Sequence, residues 1–484
     1  MKFLPQPLLA GNPVERPVHF AGTRPDIRRR PLKTRSMKAW LTALCLAALQ
    51  CGAMAAAAAD PDDVAGASAQ DASVQTWSLH GQLTNTTQWH PAFHASYSGG
   101  NSLSLGSDSA ESTDVTLFLG ARLWQGGALY LNPEINQGFG LSNTVGVAGF
   151  PSGEANRVGE NTPYVRLPRA FIRQIIDLGG AAVPVRAGAN QLGGSQSADN
   201  VTVTIGKFSV VDIFDTNTYA HDARADFLNW SVVDGGAFDY AADAWGYTVG
   251  AAVEWTRSWW TLRTGLFDLS TVPNGEQLDP RFRQYEWLGE LEARHEIEGH
   301  PGKVKLLGFV NRADMGSYAN ALSLAQPTTA VPDTSLVRRF ASRAGAVLNI
   351  EQEVAPDLGV FARASVNNGS QETYEFTDIN RSLSTGLSLN GDRWGRHDDT
   401  VGVATVVNCL SGAARAYFAA GGLGVLIGDG QLNYATERIT EIYYSWQVQK
   451  HLAVTLDAQH VVNPAYNRDR GPVSLVALRV HAEF

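Results

Sequence analysis

Arg169 and Arg173 alternate with Ala170, Ile172 and Gln174 in RAFIRQI (169–175). An extended chain there aims both guanidinium groups to one side. A second concentration of chemistry lies at 222–230, where Asp222, Arg224 and Asp226 stand beside Phe227 and Trp230. Folded inward, that stretch supplies a charged pair and a stacking ring; folded outward, it is a turn held by its own ion pairs, and both readings stay open. Arg122, Glu254, Arg263, Arg363, Glu441, Asp457 and Gln459 complete the set, each on the polar parity of an alternating segment. Guanidinium and carboxylate groups exchange hydrogen bonds with small polar molecules and aromatic faces cover apolar ones, so the chemistry on offer is reversible binding.

Bond-making chemistry finds little support. His90 and His94 in HPAFH have a spacing that suits a metal on a helix, but Pro91 sits between them and no third ligand declares itself nearby, so no metal is expected. The glycine-rich AGGLGVLIGDG (420–430) lacks the GxxxxGK[ST] pattern of a phosphate cradle. GxSxG, HExxH and paired-cysteine zinc patterns are likewise missing, and the expectation is a chain with no cofactor that is not an enzyme.

The elements that must position these side chains alternate with a period of two. In WGYTVGAAVEWT (245–256), Tyr247, Val249, Ala251, Val253 and Trp255 share one face and Thr248, Gly250, Ala252, Glu254 and Thr256 the other. The same alternation runs through 115–123, 201–205, 358–366, 440–448 and 452–462, with Gly, Asn, Asp and Pro between.

The N-terminus reads as an address. Residues 39–49 (AWLTALCLAAL) form an apolar run behind Lys38, and Ala57-Ala58-Ala59 precedes Asp60, which predicts a signal peptide over 37–59 cleaved after Ala59. Residues 1–36 read as a basic extension before the true start, and 60–76 as a short polar lead. Residues 60–484 then hold 29 Lys and Arg against 45 Asp and Glu, a net charge of −16 that argues against nucleic-acid binding. They keep Cys409 alone, so no intrachain disulfide is expected.

Alternation also suits a soluble sandwich, but three features favour a membrane: export, tryptophans at segment ends (Trp89, Trp124, Trp255, Trp259, Trp260, Trp446), and long polar loops such as 315–333. The C-terminal LVALRVHAEF (475–484) places Val476, Leu478, Val480, Ala482 and Phe484 on one face and ends on an aromatic residue. It resembles the assembly signal of outer-membrane barrels. Strands in lipid must form a closed barrel, because an open edge leaves backbone amides unpaired. The length predicts an all-β, closed antiparallel transmembrane barrel over 77–484, with sixteen strands and a range of 16 to 18.

The stretch GKFSVVDIFDTNTYAHDARADFLNWS (206–231) resembles the signature of the carbohydrate-selective porin family, the OprB type, as do 116–136, 149–158, 236–247 and 463–472. Ala223 departs from the pattern, standing where the family commonly has proline. The resemblance implies a passive outer-membrane channel that prefers sugars, a lumen lined by charged and aromatic side chains, and a monomer or homotrimer. Its partners would be the bilayer, lipopolysaccharide and, through Phe484, the barrel assembly machinery. A general diffusion pore with weak cation preference is the alternative. A barrel lipase would need a Ser/His pair facing lipid, and an energised receptor would need about 22 strands and a plug, more than this length supplies.

Overall fold

A computed structural model describes residues 74–155 and 158–484. The expected extension and signal peptide, and most of the 60–76 lead, lie outside the described residues. Sixteen strands close on themselves, each antiparallel to its neighbours. In order they are β1 (Trp77–His90), β2 (Asp108–Trp124), β3 (Gly127–Gly138), β4 (Tyr164–Val185), β5 (Gly194–Phe208), β6 (Thr248–Arg257), β7 (Trp260–Asp268) and β8 (Tyr285–Ile297). The second half comprises β9 (His300–Met315), β10 (Arg339–Ala355), β11 (Leu358–Asn367), β12 (Arg381–Gly391), β13 (Arg396–Cys409), β14 (Glu437–Gln449), β15 (Leu452–Val462) and β16 (Val473–Glu483). Pairing of β1 with β16, from Gln82 against Glu483 to Trp89 against Val476, seals the cylinder.

The period of two follows from the two surroundings of the wall. On β6, Val249, Val253 and Trp255 are exposed outward while Thr248, Gly250 and Ala252 are buried inward. Charge on the outer face would cost about 2 to 4 kcal/mol at the bilayer midplane, so the apolar parity faces lipid. Tryptophans ring both ends of this band: Trp77, Trp124, Trp255 and Trp446 near the short turns, Trp89 and Trp287 near the long loops, all exposed. Tyr247 departs from the sequence expectation. It precedes β6, so its alternation does not extend to it, and it is buried inside the barrel.

Connections alternate between short turns, two residues at 125–126, 258–259 and 450–451, and long loops at the other end. The loop expected at 315–333 carries a helix, Tyr318–Ala325, with Tyr318 buried. The longest connection, 39 residues at 209–247, turns into the lumen instead of out to solvent. A buried loop must have its backbone groups paired, and here the wall supplies the partners. Glu290, Glu351 and Glu286 accept the N–H groups of Asp215, Thr218 and Ala241 at 2.8, 2.7 and 2.8 Å. Glu441 takes those of Leu228 and Asn229. Arg363 donates to the carbonyls of Asp215, Ala220 and Val232 at 3.0, 2.8 and 2.8 Å, and Arg479 to those of Ala223, Ala225 and Asp226. Apolar packing completes the seat, with Phe214, Phe227, Phe238 and Tyr240 in the buried core.

Candidate functional site

Between the infolded 209–247 segment and strands β2 to β4 lies a chamber of about 360 Å³. Its guanidinium groups come from Arg166, Arg169 and Arg224, its carboxylates from Asp114, Glu134, Glu154, Asp212, Asp222 and Asp234, and its rings from Trp230, Tyr240, Trp245 and Tyr247. Arg169 forks onto Asp212, Nε to Oδ2 at 2.8 Å and Nη2 to Oδ1 at 2.6 Å, and its guanidinium carbon lies 5.0 Å from the Tyr247 ring centre. Arg166 lies 4.1 Å over Trp245 and pairs with Asp243 at 3.5 Å. Arg224, reaching from the infolded segment, meets Glu154 at 3.1 Å, Asp114 at 3.5 Å and Glu134 at 3.9 Å. Each guanidinium is therefore paired with a carboxylate, the carboxylates outnumber the guanidinium groups, and the aromatic residues line the same space.

Trp230 opens a one-turn helix, Trp230–Val233, capped by the Asn229 side chain. Its ring stacks on Phe150 with centroids 5.1 Å apart and planes at 15°. The indole N–H has no hydrogen-bond partner. Burial holds the His221 imidazole below its ordinary pKa, which favours the neutral ring, and pushes the Asp234 carboxyl well up.

Arg169, Asp222, Arg224 and Trp230 thus come together at one chamber. Asp226 does not line it. Its carboxylate closes the turn by accepting the N–H groups of His221 and Asp222, both at 3.1 Å, and burial pushes it up to about 6 against those bonds. The 222–230 stretch accordingly combines the two readings left open by its sequence. With Ala223 in place of proline, the turn is held by Arg479, which donates to the Ala223 carbonyl at 2.6 Å.

The remaining candidates lie elsewhere. Arg363, Glu441, Asp457 and Gln459 point inward but are covered by infolded chain; Gln459, for example, bonds the Asn229 amide at 3.0 Å and the Pro151 carbonyl at 2.8 Å. Arg263 forms a wall cluster with Glu254, Glu290 and Glu292 at 2.9, 2.7 and 3.0 Å. Arg122 and Arg173 work near the short-turn end, on the carbonyls of Gln75 at 3.0 Å and Asn190 at 2.9 Å. His90 ends β1, where no helix exists, and packs edge-on to Phe93. Within 420–430, the N–H groups of Leu426 and Ile427 bind the protein's own Asp378 carboxylate.

Strict alternation misses Arg166, an odd number of residues from Arg169. The pairing of β3 with β4 skips between Asn132 and Glu134, a bulge that turns both arginines inward. Pro133 and Pro168 flank this irregularity, and proline inside a strand is the signal that locates it. Trp245 and Tyr240 carry no such signal, because they sit in irregular chain.

A model of the family described as carbohydrate-selective porin, OprB family, matches residues 101–484. The high-pH structure of OprB from Pseudomonas putida aligns at TM-score 0.65 and 15% identity, covering 84% of this chain and 94% of that one. The outer membrane channel DcaP of Acinetobacter baumannii aligns at TM-score 0.48 and 9% identity, covering 86% and 99%. No curated protein matches the chain. At 15% identity the likeness to the Pseudomonas structure is one of fold.

Proposed function

Because the chain belongs to the OprB family of carbohydrate-selective porins, and is therefore a passive channel for carbohydrates in the Gram-negative outer membrane, we propose that the chamber bounded by Arg166, Arg169, Arg224 and Trp230 is where the sugar is recognised. The observation that carries this is that three guanidinium groups and four aromatic rings line one chamber of about 360 Å³. A sugar presents hydroxyls around its rim and an apolar ring face, and the chamber matches both. The unpaired indole N–H of Trp230 is a donor for a sugar oxygen. Flux demands weak binding, so a solute is held by a few exchangeable hydrogen bonds and one stacking contact, enough to raise occupancy without trapping. Phe484 serves as the contact for the barrel assembly machinery, lipopolysaccharide covers the outer leaflet around the barrel, and the barrel stands alone or as a homotrimer.

The test is single-channel current of refolded protein in a planar bilayer at fixed salt, titrated with glucose, maltose, arabinose and an amino-acid control. Saturable reduction by sugars, and not by the amino acid, is expected. Replacing the Trp245 ring (Trp245→Ala) should weaken that block about fivefold to tenfold, as loss of a stacking or cation–π partner does. A current indifferent to every sugar would reassign the chamber to a general pore with weak cation preference.

A further inference from the structure

A second cavity, of about 460 Å³, lies among the long loops and shares no lining residue with the inner chamber. Asn143, Asn274, Tyr318, Asp333, Thr373 and Asp378 reach it from four different connections. The lining is fixed by its own bonds. Glu372 holds Arg338 through two bonds at 2.8 and 3.1 Å and also accepts the Gly316 N–H and the Thr334 hydroxyl, both at 2.7 Å. Asp378 binds the Leu426 N–H at 2.7 Å through Oδ2, so its carboxylate cannot swing.

The other oxygen of that carboxylate, Oδ1, has no hydrogen-bond partner, although Asp378 is only 2% exposed and lines the cavity. A buried acceptor left without a donor is costly, and a donor arriving in the cavity relieves that cost. Arg338 commits Nε and Nη2 to Glu372, and the carboxylates of Asp333 and Asp378 supply the cavity with acceptors. The two cavities are joined by aromatic contact: Phe376, between Thr373 and Asp378, packs on Trp230 and Tyr240 of the inner chamber with centroids 5.6 and 5.2 Å apart.

We propose that the outer cavity is a second carbohydrate subsite, an entry station whose acceptors take the hydroxyl donors of a sugar arriving from the long-loop side, a proposal that rests on the carbohydrate role of the inner chamber. Its volume falls within the range of about 300 to 1,000 Å³ typical of small-molecule sites. Occupancy there raises the rate at which sugar reaches the inner chamber from outside and leaves transfer from the short-turn side alone.

Sidedness supplies the test. Glucose is added to one face at a time of single channels in a planar bilayer, and association rates are read from current fluctuations for wild type, Asp378→Asn and Leu423→Trp. The first puts a donor where the unpaired acceptor stands; the second enlarges an exposed lining residue and leaves the buried frame intact. Association from the long-loop face should fall about fivefold in both, the scale of one hydrogen bond, with association from the short-turn face unchanged. Rates that fall equally from both faces, or from neither, overturn the entry subsite while a wild-type response to glucose upholds the inner chamber. A wild-type current indifferent to glucose overturns both.

Discussion

Arg169 shows how a single side chain sets two properties of the passage. Its fork on Asp212 cancels one carboxylate charge while its face covers Tyr247. Arg169→Lys keeps the charge and loses the planar fork, so ion selectivity should hold while glucose block weakens about tenfold; Arg169→Ala should weaken the block and also change selectivity, with reversal potential in a salt gradient moving toward the cation. Asp226 makes the pH prediction. Its carboxyl is raised to about 6 by burial, against roughly 4 in an unfolded chain. A carboxyl raised on folding stabilises fully below the unfolded value and loses that contribution as pH climbs from about 4 to 6. Urea midpoints in detergent should therefore fall across that window in wild type by more than in Asp226→Asn. The sequence made Arg169 legible because parity alone sets which way a strand residue points, and it hid Arg166 because one bulge reverses parity for everything beyond it.

Among the elements, the strands were legible and the infolded segment only partly so. A wall between lipid and interior imposes a period of two on every strand, which any single segment displays. The anchors of the 209–247 segment display nothing locally. Leu228 and Glu441 stand 213 residues apart, and the atom held is a backbone N–H, which every residue but proline carries. Inward charges on β8, β10, β11 and β14 consequently look like wet wall in the sequence, whereas they pair buried backbone. Glu441→Ala would strand the N–H groups of Leu228 and Asn229 at about 1 to 3 kcal/mol each. The expected outcome is a noisier, larger single-channel conductance and a lower heat-denaturation midpoint on gel mobility, both measurable on one preparation.

At the scale of the whole molecule, the cylinder depends on one seam. Gly81 and Phe484 exchange two backbone hydrogen bonds at 3.0 Å, and a Cβ added at Gly81 would sit 2.3 Å from the Phe484 ring. The terminal aromatic residue that reads from sequence as an assembly signal thus also covers the joint between β1 and β16. Gly81→Val should displace that ring and slow closure, seen as a lower yield of the heat-modifiable folded band on refolding into vesicles, while Gly81→Ala should do so less. Inside the closed wall, carboxylates and arginines grip much of the long insertion by its peptide groups, alongside side-chain pairs such as Arg343 with Asp239 and Arg363 with Asp215. Where the grip is on peptide groups, mounting is uncoupled from lining, and a side chain there can be exchanged without loosening it; Asp212 and Arg224, which line the chamber and pair with the wall, are the exceptions. One barrel can be retuned over evolutionary time from one solute to another, with the lipid-facing shell and its folding route left untouched.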